Sequence, residues 1–259
     1  MRDIFFSYQN YFIFQFNIIE IMDFKVKIII IHALFFVIQL VGSNHIELTS
    51  DLLLQWGFDI NSTLIVLENR SIETIPSQEM ISYINLTRFV MREDALFANL
   101  KRGAFAQCFN LKEIYIYDCP RLTNLTAGCF NDLVSLQSIV VSGTSLTRLH
   151  ASIFDRLYSL KHLDFSDNKI EFIDQMTFAR IEDLQMLILR SNRLKTIQPK
   201  AFFNTPNLHY FDLQHNQIEW ASIDSFVFLC SRHINFDSNP IEKRFRVIRS
   251  ELCEKEDTY

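Results

Sequence analysis

The side chains in this chain that could bind a metal ion or carry acid–base chemistry are His162, Asp164, His215 and His233. Imidazole and carboxylate groups are common zinc ligands, but metal sites usually show short, fixed spacings such as H-E-x-x-H. These four residues are scattered over several segments without such a spacing. We therefore interpret them as solvated surface residues and predict no metal site and no cofactor.

Ser142 and Ser166 lie in the same part of the chain and raise the possibility of a nucleophile activated by a histidine. Such a nucleophile needs a positioned base, donors for the oxyanion and an enclosed pocket. The sequence has no nucleophile elbow, no phosphate-binding loop and no dinucleotide fingerprint around them. We therefore predict that the protein is not an enzyme.

The segments that contain these residues repeat one another every 24 residues. LKHLDFSDNKI begins at Leu160, LQMLILRSNRL at Leu184 and LHYFDLQHNQI at Leu208. They share the pattern L-x-x-L-x-L-x-x-N-x-L, and a fixed period of this kind indicates a repeat architecture. Weaker copies lie on both sides, giving about eight units that start near residues 62, 86, 111, 136, 160, 184, 208 and 231.

This pattern resembles the leucine-rich repeat family in its 24-residue extracellular form, over about Ser62 to Ile241. A later landmark of the family also recurs, a phenylalanine in six units: Phe105, Phe130, Phe154, Phe178, Phe202 and Phe226. The resemblance implies an α/β solenoid shaped as a horseshoe. Its concave face would be a parallel β-sheet, and its convex face would consist of loops and short helical turns.

The repeated residue types have a physical explanation. The x-L-x-L-x segment alternates with period two, so one short strand sends its leucines inward and its other residues outward. The following asparagine can satisfy backbone groups of neighbouring turns, and stacked copies would form a ladder. Cys119 is a tolerated replacement in this slot, whereas Arg70, Asp94 and Thr144 are departures that we expect to weaken the ladder locally.

The outward strand positions form the surface with which this family usually binds partners. Two patches of outward residues are candidate partner-binding sites. The N-terminal patch is aromatic and charged, and it comprises Arg92, Glu113, Tyr115, Tyr117 and Val140. The C-terminal patch is polar, and it comprises His162, Asp164, Arg190, Tyr210 and Asp212, with His215, His233 and Asp237 beside them. Aromatic residues and arginine are enriched at interface hot spots.

The first 43 residues are interpreted as an N-terminal extension plus a signal peptide. Two lysines precede an apolar run, Ile28 to Val41, and small residues follow it, which is the pattern of a cleaved secretory signal. Translation could instead start at Met22, and an uncleaved signal anchor is the alternative to cleavage, the only case in which we expect contact with a membrane. Four sequons favour the secretory pathway and predict glycosylation at Asn61, Asn69, Asn85 and Asn124.

The ends of a solenoid need caps because terminal repeats expose the core. We assign residues 44–61 to an N-terminal cap, 62–240 to the repeats, and 241–259 to a C-terminal amphipathic capping helix and tail. By resemblance to the family's cap, Cys230 and Cys253 are predicted to form a disulfide in an oxidising compartment. Cys108 and Cys129 could pair, but Cys108 is equally suited to the core.

The net charge of -5 offers no basic patch, so we predict no nucleic-acid partner. We expect a secreted, non-catalytic recognition module that binds a protein or glycan partner through its concave face. Relatives serve in adhesion, signalling and innate immune recognition. The alternatives are a truncated receptor ectodomain of the Toll-like or adhesion type, or a signal-anchored cell-surface protein.

Overall fold

The computed structural model describes residues 46–222 and 233–241, which form a solenoid built around one long parallel sheet. Its eight strands follow one another in chain order: β2 (Leu64–Glu68), β4 (Arg88–Arg92), β6 (Glu113–Tyr117), β7 (Ser138–Ser142), β9 (His162–Asp164), β11 (Met186–Ile188), β13 (Tyr210–Asp212) and β15 (His233–Asn235). Each strand pairs in parallel with the strands of the preceding and following repeats. The predicted horseshoe-type solenoid is confirmed.

A second row of short parallel strands follows the first, and the sequence did not predict it. These strands are β1 (Ile46–Glu47), β3 (Ile72–Ile75), β5 (Asn99–Leu100), β8 (Arg148–Leu149), β10 (Phe172–Ile173), β12 (Thr196–Ile197) and β14 (Trp220–Ala221). They pair as β1-β3-β5, β8-β10 and β12-β14. In the described part of the chain, helical structure is confined to α1 (Ser50–Gln55) and one 3-10 turn (Ala151–Ile153), and turns make most of the other connections.

The dry interior predicted from the period-two pattern is present. Leu163, Leu187 and Phe211 are at most 1% exposed, whereas their strand neighbours face outward. The recurring phenylalanines fill the opposite side of the core, and the five that are described are all buried. The ring of Phe178 lies between those of Phe154 and Phe202, with centroids 5.6 and 5.8 Å away. Adjacent coils therefore share one continuous core.

The predicted asparagine ladder is present in the last four repeats. The Asn192 side-chain oxygen accepts a hydrogen bond from the backbone N–H of Ile170 in the preceding repeat (2.9 Å). Its amide nitrogen donates to the carbonyls of Phe165 (2.8 Å) and Leu189 (3.0 Å). The same arrangement recurs at Asn168, Asn216 and Asn239. Each of these side chains therefore joins two adjacent coils.

In the first four repeats another residue occupies the position of the ladder asparagine. Asp94 is buried and accepts from the N–H groups of Ile72 (2.9 Å) and Leu96 (3.2 Å), but a carboxylate has no proton to donate to the carbonyls. The Cys119 thiol donates to the carbonyl of Tyr117 in its own repeat (3.3 Å). Thr144 continues the ladder because its hydroxyl donates to the oxygen of Asn168. Arg70 instead lies over the ring of Trp56, 4.9 Å from its centroid.

A left-handed residue ends the strand segment in every described repeat. The backbone φ is positive at Asn69, Glu93, Asp118, Gly143, Asp167, Ser191, His215 and Ser238. Asparagine, aspartate and glycine adopt this conformation most readily. At Gly143 an added Cβ would also meet the carboxylate of Asp118, so a larger residue there would require this side chain to move. This turn fixes where each strand leaves the concave face.

The first repeat is covered by the segment that contains β1 and α1. Thr49 caps the helix by accepting from the N–H of Leu52 (3.2 Å), and Leu48 and Leu53 are fully buried. The hydroxyl of Tyr83 donates to the carbonyl of Phe58 (3.1 Å), which ties this segment to the array. The predicted extension and signal peptide (1–43) and nearly all of the predicted C-terminal cap (241–259) lie outside the described residues. Among the residues described, no helix is long and apolar enough to cross a membrane.

The described cysteines are core residues. Cys108, Cys119 and Cys129 are buried and free, so the possible Cys108–Cys129 disulfide does not form. Burial raises the pKa of the Cys108 and Cys119 thiols to about 12 and also raises the pKa of Cys129. These thiols are therefore poor nucleophiles. The predicted Cys230–Cys253 pair falls outside the described residues.

Candidate binding surface

The strand register places the outward residues in columns that run along the sheet. The first column is Leu64, Arg88, Glu113, Ser138, His162, Met186 and Tyr210, and the backbone of His233 pairs in register with Tyr210. The second is Val66, Val90, Tyr115, Val140, Asp164, Ile188, Asp212 and Asn235. All ten predicted partner-binding residues lie on this face or, for Arg190, just beyond the end of β11.

Two tyrosines dominate the N-terminal patch. The rings of Tyr115 and Tyr117 stack with centroids 5.8 Å apart and an interplanar angle of 16°. Both are half-buried on β6, and Val90 and Val140 flank Tyr115 on the neighbouring strands. Burial, and then the charge of Glu113, raises the pKa of Tyr115; burial raises that of Tyr117. Both hydroxyls are therefore protonated near neutral pH and can donate hydrogen bonds.

The charges around these tyrosines are paired within the protein. Arg88 bonds to Glu113 on the next strand, and this contact lowers the pKa of the Glu113 carboxyl. On the other side of the face, a guanidinium nitrogen of Arg92 lies 2.6 Å from a carboxylate oxygen of Glu68. Arg88 and Glu68 were not among the residues predicted for this patch, although their columns place them beside it. The tyrosines thus lie on a strip of valines bordered by neutralised charges.

The C-terminal patch differs from the N-terminal patch because its aspartates form hydrogen bonds with the backbone just after their own strands. The carboxylate of Asp164 accepts from the N–H of Ser166 (2.8 Å), and that of Asp212 accepts from Gln214 (2.9 Å). In both turns the carboxylate satisfies a backbone N–H group two residues further along the chain. The strands β9 and β13 have three residues, as does β11, which has Ile188 at this position, whereas β2, β4, β6 and β7 have five. Asp212 is only 5% exposed, so it offers little surface to a partner.

The structure does not gather the histidines into one site. Met186 separates His162 from Tyr210 in the first column, and His215 lies in the left-handed turn beyond its strand. The hydroxyls of Ser142 and Ser166 lie 3.1 Å apart and bond to each other. Within residues 46–222 and 233–241, no group of histidine, cysteine, aspartate or glutamate has the geometry of a metal site.

The four predicted glycosylation sites are all available at the surface. Asn61, Asn69, Asn85 and Asn124 are exposed. Asn61 and Asn85 are neighbours in successive repeats, since the amide of Asn85 donates to the side-chain oxygen of Asn61 (3.4 Å). Occupancy by glycans stays a prediction.

Comparison with known families identifies the repeat. The sequence profile of the BspA-type leucine-rich repeat region matches six copies, at residues 58–132 and 98–235, which together span most of the chain. The chain belongs to the leucine-rich repeat family. Leucine-rich repeats typically mediate protein binding and are generally non-catalytic. No curated protein matches the sequence significantly.

Solved structures of leucine-rich repeat proteins share the fold. The glycosylated Toll–Spatzle complex of Drosophila, described as a hub in development and innate immunity, matches with a TM-score of 0.66 and 21% identity over 75% of this chain. The complex of TLR13 with ssRNA13 matches with a TM-score of 0.52 and 19% identity over 66% of this chain. In both cases the match covers 27% of the other protein. The matched part of this chain therefore corresponds to about a quarter of each of those chains.

Proposed function

We propose that this leucine-rich repeat protein is an extracellular recognition module that binds a protein partner through the N-terminal patch of its concave face. The observation that carries the proposal is the stacked Tyr115–Tyr117 pair on a strip of valines. Half-buried aromatic rings already held in place lose little conformational entropy on binding, which is why tyrosine is common at hot spots.

The charges of the patch favour a partner with a largely apolar contact surface. Arg88 and Arg92 are engaged by Glu113 and Glu68, so they contribute little net positive potential for a phosphate backbone. Paired charges at the margin, with apolar and aromatic groups in the middle, match the usual composition of protein interfaces. A folded protein with an apolar contact strip is therefore the proposed partner.

The extracellular setting rests on two sequence features. The signal-like segment before residue 44 supports entry into the secretory pathway. The four sequon asparagines are exposed, as glycosylation requires. Expression in cultured cells, with recovery of glycosylated protein from the medium, tests this part of the proposal.

Replacing both Tyr115 and Tyr117 with alanine is expected to weaken partner binding at least about 100-fold, since two adjacent aromatic anchors are lost. The wild-type protein is first screened against a panel of extracellular domains, and a hit is then titrated against the double variant by surface plasmon resonance. Trp220→Ala, which removes an exposed aromatic residue from β14, is the matched control and should bind normally. Unchanged affinity of a folded double variant would contradict the proposed site.

A receptor ectodomain is the second candidate, favoured by the match to the Toll structure. In that case the array would be the recognition part of a longer chain. Sequencing of the full-length transcript separates the two candidates. A reading frame that continues past Tyr259 into an apolar segment of about 20 residues supports the receptor, whereas a stop codon there supports the secreted module.

A further inference from the structure

One edge of the solenoid exposes a line of large apolar side chains that neither the fold nor the proposed concave site uses. The residue two positions before the start of each of five successive repeats is apolar and exposed. These residues, which we call the edge ridge, are Ile60 (52% exposed), Ile84 (53%), Phe109 (52%), Val134 (47%) and Tyr158 (65%). They lie in the loops that lead into the strands of the main sheet.

Hydrogen bonds between successive loops hold the edge ridge together. The amide of Asn110 donates to the carbonyl of Ile84 (2.9 Å), and the hydroxyl of Ser159 donates to the carbonyl of Val134 (2.7 Å). These two bonds fix the loop of Phe109 against that of Ile84 and the loop of Tyr158 against that of Val134. With a strand spacing of about 4.8 Å, the five side chains form a line about 20 Å long.

The edge ridge has defined limits. In the next two repeats the corresponding position holds Glu182 and Pro206. The residue after each ridge position carries no charge: Asn61, Asn85, Asn110, Ser135 and Ser159. Single exposed apolar residues are normal on a protein surface, but a contiguous line of them marks an interaction site.

The exposed area of the edge ridge is that of half of a symmetric dimer. Five large side chains, each about half exposed, leave on the order of 500 Å2 of apolar surface in water. A standard interface buries about 800 Å2 per partner, and homodimer interfaces are about 65% apolar, which again gives about 500 Å2. A second copy of the chain would therefore cover the ridge without needing any further apolar surface.

The charges at the two ends indicate how two copies would be oriented. Asp59 precedes Ile60 at one end and is exposed. Arg156 lies two residues before Tyr158 at the other end, and its side chain is 68% exposed while it contacts Asp132 at 3.2 Å. Arg156 is already paired with Asp132, but only antiparallel packing offers its exposed guanidinium a second acidic contact, Asp59 of the other copy, whereas parallel packing places each residue opposite its own equivalent.

We propose that the edge ridge is the interface of a homodimer in which two copies pack antiparallel about a two-fold axis near Phe109. Such an interface is self-complementary, because each copy contributes the same surface. Ile84 of one copy then lies opposite Val134 of the other. This proposal does not depend on the partner proposed for the concave face, which stays accessible in the dimer.

The first test is sedimentation of the full chain with its glycans in place, since Asn61 and Asn85 border the first two positions of the ridge. Interfaces of this size associate with affinities from the micromolar to the picomolar range, so a dimer is expected at concentrations of about 100 µM and below. Phe109→Glu should weaken dimerisation at least about 100-fold, because two carboxylates would meet at the two-fold axis. Phe172→Glu, at an equally exposed residue in β10, should leave dimerisation unchanged.

Charge-reversal variants distinguish the loss of the dimer contact from a loss of folding. Phe109→Lys should be monomeric alone, yet its mixture with Phe109→Glu should dimerise again. Antiparallel packing is tested by cysteine cross-linking: Ile84→Cys mixed with Val134→Cys should form a disulfide dimer, and neither variant should do so alone. A monomeric wild-type protein, a failed mixture or cross-linking of the single variants with themselves would each overturn the proposal.

Discussion

Phe178→Ala is expected to lower the free energy of unfolding by about 3 to 5 kcal/mol, the usual cost of truncating a fully buried phenylalanine. The Phe178 ring is 0% exposed and contacts the rings of the preceding and following repeats. Its loss therefore opens a cavity between three coils rather than within one. Urea unfolding followed by circular dichroism measures the change.

The matched control for this variant is Phe172→Ala. Phe172 lies six residues earlier in the chain but is 59% exposed, so its truncation should change stability by no more than about 0.5 kcal/mol. Equal losses in the two variants would show that the recurring phenylalanines do not hold the coils together.

Asn192→Ala is expected to cost about 3 kcal/mol, although the substitution removes only a few atoms. The N–H of Ile170 loses its side-chain acceptor, and the carbonyls of Phe165 and Leu189 lose a donor, all in the dry interior. An unsatisfied buried polar group costs about 1 to 3 kcal/mol. Thermal and urea unfolding should show the loss without a change in the folded circular dichroism spectrum.

Two further variants separate the ladder from a general effect of changing asparagine. Asn192→Asp keeps an acceptor for the N–H of Ile170 but turns an oxygen toward carbonyl oxygens, so it should destabilise at least as much as alanine. Asn207→Ala removes an exposed side chain that donates to the carbonyl of Glu182 (3.1 Å), and it should cost no more than about 0.5 kcal/mol. A harmless Asn192→Asp would refute the role given to the amide donors.

The fold was predictable because a fixed repeat period determines where each strand lies, how neighbouring strands pair and which residues are buried. Once Leu163 and Leu187 occupy equivalent positions 24 residues apart, the parallel register of β9 and β11 follows, and the outward columns follow with it. The second row of strands was not predictable. Pairs such as Phe172–Ile173 are too short to show an alternating pattern, and they form only because the stacked coils bring them side by side.

The position of the candidate site could be predicted from the sequence, but which of its side chains are engaged in hydrogen bonds within the protein could not. Asp164 and Asp212 were predicted as partner-binding residues because they are polar and point outward, yet each accepts a hydrogen bond from its own strand end. A local hydrogen bond of this kind occupies the carboxylate and so competes with partner binding. The sequence does not distinguish an aspartate bonded in this way from one that is free at the surface. The pairing of Arg88 with Glu113 likewise depends on side-chain geometry.

The asparagine position holds asparagine in some repeats and other residues elsewhere, so the hydrogen bonding between adjacent coils varies along the solenoid. Each coil touches only its neighbours, so the stability of the array is approximately the sum of the contributions of its repeats and of the junctions between them. Between Asp94 and Cys119 neither side chain supplies the amide that bridges coils in the last four repeats. Tyr115 and Tyr117 lie on β6 at this junction, so a partner docked across β4, β6 and β7 would add contacts between coils that lack the bridging amide.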